Sequence, residues 1–109
     1  MPQDRPQLGR FGEAVAALFL ERRGVRVVAR NVASAVGEID LIAIHDEEVV
    51  AVEVRSARRE DPGADLMSSE KARQVRRVAA SLDPPIFRID LVTVLMGEAG
   101  VRVRWNRRV

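Results

Sequence analysis

Apolar and polar positions along this chain follow two periods. Residues 9 to 23 (GRFGEAVAALFLERR) are rich in Ala and Leu without a β-branched run, and Gly24 stands where a C′ glycine closes a helix. The pattern predicts a first helix there. VRVVARNV, residues 25 to 32, opens by alternating Val with Arg and predicts a strand. Residues 37 to 44 and 49 to 56 predict two more, joined by His45-Asp46-Glu47-Glu48, a connection short enough only for an antiparallel hairpin. A polar segment with Pro62 and Gly63 breaks the pattern and reads as a mobile loop.

Ser68 is placed to cap a second helix whose apolar stripe is Ala72, Val75, Val78, Ala79 and Leu82. Arg73, Arg76 and Arg77 fall largely outside that stripe, and Asp83-Pro84-Pro85 stops the helix. Strands at 86 to 96 and 101 to 105, with a turn from Gly97 to Gly100, complete an α-β-β-β-α-β-β order. This is an α/β fold with a mixed sheet flanked by two helices. A helix between strands three and four predicts a crossover with those two strands parallel.

Composition narrows the chemistry. A chain of 109 residues, 47% apolar and 31% charged, fits one soluble domain over residues 1–109, with 1–8 and 106–109 expected to be flexible. No run approaches the roughly 18 apolar residues of a membrane span, and the opening MPQDRPQLGR lacks a secretory h-region. A cytoplasmic location without a membrane partner is the expectation. Without cysteine and with a single histidine, His45, the chain cannot build thiolate or multi-His metal sites. A metal would need oxygen ligands, which favours Mg2+ or Mn2+. Residues 1 to 54 hold six Arg and nine Asp/Glu, whereas residues 55 to 109 hold twelve Arg/Lys and seven Asp/Glu. Seventeen of the eighteen basic residues are arginine, which suits forked phosphate contacts, although genomic base composition accounts for that bias equally well.

The candidate chemistry sits in GEIDLIAIHDEEVVAVEVR, residues 37 to 55. Alternation puts Glu38 and Asp40 on a face with Ile42 and Ile44, and Glu53 and Arg55 on a face with Val49 and Ala51. Closing the hairpin with a two- or four-residue loop sets Asp40 opposite Glu53 and Glu38 opposite Arg55. Opposed Cβ atoms lie about 4.5 to 5.5 Å apart, where two carboxylates repel unless a cation sits between them. Other outcomes stay open: either carboxylate facing solvent, a plain Glu38–Arg55 salt bridge, or a three-residue turn that shifts the pairing. Glu13, read as lying in the first turn of its helix, is favoured there by the macrodipole alone. Its neighbours Ala16, Ala17 and Leu20 are apolar, so its face is expected to be buried and its carboxylate to point at something specific.

With these residues in view the chain resembles a known family. Gly12-Glu13 before an Ala-rich helix, Asn31, Gly37-Glu38-Ile39-Asp40-Leu41-Ile42, Val52-Glu53-Val54-Arg55, Lys71 and Arg88-Ile89-Asp90 look like the YraN-like family of small bacterial proteins. That family is similar to the restriction-endonuclease-like nucleases, among them archaeal Holliday-junction resolvases, with the PD-(D/E)xK pattern. The resemblance implies that Asp40 and Glu53 hold the metal, with the Val54 carbonyl as a further ligand, and that Glu13 matches the helix-one acid. Arg55 stands where the pattern has lysine. Arginine can stabilise developing charge but is a poor proton acceptor. Lys71, the only lysine, lies within about 40° of Val75 on a wheel of ~100° per residue, so it can reach the site or merely cover apolar surface.

The expected function is therefore nucleic-acid binding with metal-dependent cleavage, on DNA rather than RNA and on branched or single-stranded forms. Catalysis would fall to Glu13, Asp40, Glu53 and Arg55, with Glu38, Lys71, Arg73, Arg76 and Arg77 on the substrate. Arg102, Arg104, Arg107 and Arg108 would add backbone contacts, although a solvated charged face explains such runs as well. The alternatives are a binding module that has lost the chemistry because of Arg55, and a protein-interaction domain. Aromatic stacking platforms for single strands are absent, since Phe11, Phe19 and Phe87 read as core, and Trp105 as exposed or packed at a homodimer contact.

Overall fold

The computed structural model describes residues 5–58 and 67–109, with side chains from residue 9 onward in the first segment. The elements run α1 (Arg5–Glu21), β1 (Arg26–Ser34), β2 (Gly37–His45), β3 (Glu48–Arg58), α2 (Ser69–Ala80), β4 (Arg88–Gly97) and β5 (Gly100–Asn106). The order is the one the periodicities predict. The loop expected around Pro62 and Gly63 lies outside the described residues.

The strands form one five-stranded sheet in the order β1-β2-β3-β4-β5. β3 and β4 are parallel, as the intervening helix demands, and the other neighbours are antiparallel. The hairpin between β2 and β3 closes on the two residues Asp46 and Glu47, both at positive φ (52° and 66°), which matches the twist of the flanking strands.

Each helix seals one face of the sheet. Ala16, Ala17 and Leu20 of α1 pack on Leu41, Val52, Val92 and Val94. Val75, Val78 and Ala79 of α2 pack on Ala51, Ile39 and Ile89. Gly12 lets α1 sit close to β3, because a Cβ at that position would collide with Ser56 Oγ.

Several expectations change. α1 starts at Arg5, four residues earlier than its apolar pattern, because Pro6 in the first turn has no intrahelical hydrogen bond to lose. Glu13 is therefore mid-helix, and the first turn holds no acid, so the macrodipole does not explain it. Phe87 is 82% exposed and Phe11 38% exposed, so neither is core, while Phe19 is partly buried against the α1 cluster.

The C-terminal residues are held rather than loose. Asn106 closes β5, the Arg108 N–H donates to Asp90 Oδ1 at 3.0 Å, and the Val109 N–H donates to the Ile89 carbonyl at 3.0 Å. Trp105 is half-buried and donates from Nε1 to Asp90 Oδ2 at 2.8 Å, with its ring 5.0 Å from His45. It belongs to the core of its own chain.

Candidate functional site

The site begins where the sheet splits. β2 and β3 keep the hairpin register from His45 opposite Glu48 to Leu41 opposite Val52, and the ladder ends there. Asp40 and Glu53 come next in that register. Asp40 instead turns its carboxylate toward β3 and accepts the Val54 N–H at 2.8 Å. A side chain thus satisfies an amide that the strands no longer pair.

Glu53 meets Asp40 at this split. Its side chain is only 12% exposed, its carboxyl is hydrogen-bonded to Asp40, and Lys71 Nζ lies 3.2 Å from its Oε2. Burial pushes Glu53 up to about 8, the Asp40 charge and hydrogen bond push the same way, and Lys71 opposes them. The physical reason is plain: two carboxyl groups can share a hydrogen bond only if one keeps a proton. Replacing that proton by a cation satisfies both groups, and the donor set is made of hard oxygens that suit Mg2+ or Mn2+. Among the described residues no three His, Asp or Glu side chains converge as a metal cage. Asp40 and Glu53 could offer a hard cation two oxygen ligands, with waters completing its shell.

A second group of acids lies on the other side of Asp40. Glu13 reaches toward it from α1, and burial, followed by the Asp40 charge, raises the Glu13 pKa. Asn31, with its amide nitrogen facing the acids, donates to Glu13 Oε1 at 3.0 Å and Glu38 Oε1 at 3.3 Å. Asn31 holds a φ of 52° within β1, a conformation asparagine tolerates better than most residues. Nothing in the sequence alone assigns Asn31 a role. The one signal available was a polar amide inside a β-forming run.

Glu38 does not meet Arg55 across the hairpin. It pairs with Ala33 of β1 and is exposed, because β2 has already left β3 by that point. Arg55 lies in a cleft of about 320 Å³ lined also by Glu53, Met67, Ser68, Lys71 and Leu91. Ser68 caps α2 by accepting the Lys71 N–H at 3.1 Å, which places the helix N-terminus and its lysine at the cleft. The structure therefore gathers Glu53, Arg55 and Lys71 at the cleft and Glu13 and Glu38 around Asn31, with Asp40 near both Glu53 and Glu13.

The arginines divide. Arg73, Arg76 and Arg77 are exposed on α2. On β5, Arg104 pairs with Thr93, which in turn pairs with Arg55, so alternation places Arg102 and Arg104 on the sheet face that carries Glu53. Arg107 lies 4.2 Å over the Trp105 ring, and Arg108 binds Glu48 Oε1 at 2.7 Å. Arg107 and Arg108 thus fasten the tail to Trp105 and Glu48.

Comparison with known proteins follows the same residues. The model of a family described as uncharacterised protein family UPF0102 matches residues 12–94. The chain is 43% identical to a UPF0102 protein of Roseiflexus castenholzii over 102 residues, covering 85% of this chain and 82% of that one. It is 37% identical to a UPF0102 protein of Parafrankia sp., covering 93% of each. Among solved structures it is similar to SfsA of Pyrococcus furiosus in complex with Ca2+, at 11% identity and a TM-score of 0.45. That match covers 90% of this chain, which spans only 63% of the SfsA chain.

Proposed function

The chain belongs to the UPF0102 family, the YraN-like family its motifs resemble, and on that premise we propose that it binds nucleic acid and hydrolyses phosphodiester bonds in DNA with Mg2+ or Mn2+. The observation that carries this reading is the buried contact between Asp40 and Glu53 beside an open cleft with Lys71 and Arg55. Asp40 and Glu53 would hold the ion. When bound, it lowers the pKa of a water and stabilises charge on a phosphoryl oxygen. Arg55 and Lys71 place two positive charges on the cleft side of the acids, where a phosphate anion would otherwise be repelled. Glu13 adds a further carboxyl beside Asp40 and shares the Asn31 amide with Glu38.

Incubating the protein with Mn2+ and labelled single-stranded, branched and duplex DNA tests the proposal. Cleavage of at least one substrate, lost in Asp40→Ala, is expected. Failure to cut any of them, or cutting that survives Asp40→Ala, overturns it.

One observation favours a second reading. The position that carries lysine in PD-(D/E)xK nucleases is Arg55 here, and an arginine cannot accept a proton from water. On that reading the chain binds nucleic acid without cutting it. Cleavage that appears only in Arg55→Lys would identify this as the correct account.

A further inference from the structure

Next to the Glu53 cleft lies a second hollow of about 480 Å³, and the two share Met67 and Leu91. Together they form one trough between α2 and the sheet. Met67 and Ala72 give it an apolar floor above the buried Leu91, Ser69 and Val109 line it as well, and Arg73 and Arg76 stand on its helical side. Asn106 stands at its far end on the edge strand. Glu53, Leu91 and Asn106 are register partners across β3, β4 and β5, so the trough crosses the strands for about 10 Å at the usual spacing.

We infer that this trough takes an unpaired nucleic-acid strand, leading from the phosphate at Glu53 toward the β5 edge. The inference rests on the nucleic-acid reading above and assigns its substrate class. Two features carry it. Duplex DNA presents phosphates and base edges, with its base faces stacked inside, so an apolar floor has nothing to meet. An unpaired strand exposes those faces while its phosphates reach the rim. The second feature is charge order. Arg73 and Arg76 are exposed along the helical side of the trough, and the Glu53 carboxyl lies at the end away from them. Arg76 donates one N–H to the Val109 carbonyl at 2.9 Å, leaving the rest of its guanidinium fork for phosphate.

The experiment measures binding of the full chain without divalent metal, by fluorescence anisotropy. The probes are a labelled oligothymidylate of about 12 nucleotides, within the span single-strand sites commonly occupy, and a duplex of the same length. The single strand is expected to bind about tenfold more tightly than the duplex, with Arg73→Ala/Arg76→Ala lowering the salt slope for the single strand by about 1.4. Ala72→Leu, a helix-compatible change that narrows the trough, is expected to weaken single-strand binding several-fold and leave duplex binding unchanged. Circular dichroism checks that each variant is folded. Equal or tighter duplex binding, or single-strand binding indifferent to both folded variants, overturns the trough assignment while leaving nucleic-acid binding standing. Binding of neither probe overturns both.

Discussion

Glu53 concentrates the tension of this molecule in one residue. Its carboxyl is raised from an ordinary value near 4.5 to about 8 by burial and by Asp40. The folded state therefore holds its proton more tightly than the unfolded chain does, and the contribution of Glu53 to stability is fully present below about pH 4.5 and is lost as pH rises toward 8. Denaturant unfolding without divalent metal should show this decline, amounting to a few kcal/mol, and Glu53→Gln should flatten it. Added Mn2+ at pH 8 should restore the lost stability in the parent chain and not in Asp40→Asn, because a cation replaces the proton only when both oxygen donors are present. The identities of these acids were readable from the sequence, and so was their register. What was not readable is that the strands part between them, so that contact passes through side chains and the Val54 amide instead of a ladder pair. For the same reason Glu38 lost the partner that register assigned it and gained Asn31.

At the scale of elements, the approach of α1 to β3 depends on a missing methyl group. Gly12→Ala drives a Cβ into Ser56 Oγ, and overpacking of this kind costs about 1 to 3 kcal/mol. Ser56 Oγ is itself buried with no hydrogen-bond partner among the described residues, so Ser56→Ala should be close to neutral. The double variant Gly12→Ala/Ser56→Ala should recover most of the loss, and a double-mutant cycle in urea measures that coupling. Additive effects would mean the two residues do not meet. Element types and order were legible because each depends on a local period and on local stop signals such as Gly24 and Asp83-Pro84-Pro85. The exposure of Phe87 was not, since an apolar residue beside a strand start reads the same whether it faces α2 or solvent.

Across the whole molecule, a buried polar hub ties the last residues down. Asp90 is 1% exposed and accepts from Arg88, Trp105 and the Arg108 N–H, while Arg88 reaches on to Glu48 and His45. Burial alone would raise the Asp90 pKa, but the hydrogen bonds from Arg88, Arg108 and Trp105 together hold it below 3.8. Its contribution is therefore fully present above about 3.8 and is lost as pH falls through the lower folded value. Asp90→Ala leaves the buried Arg88 charge without its main partner and should cost about 3 to 5 kcal/mol. Trp105 is the only tryptophan, so a shift in its emission reports directly on release of the hub. An unshifted emission and unchanged stability in that variant would remove the hub from the account.

Local patterning by itself determined the helices, the strands, the tight hairpin, the parallel crossover and the identity of the acidic pair, because periodicity, turn length and capping act over a few neighbouring residues. Only the tertiary structure decided how the acids meet, which arginines face them, and that Trp105 and the tail from Asn106 to Val109 are fastened inward. Those outcomes depend on contacts between residues distant in sequence, such as Asp90 with Arg108, whose energies come from mutual burial that no short stretch of the chain encodes.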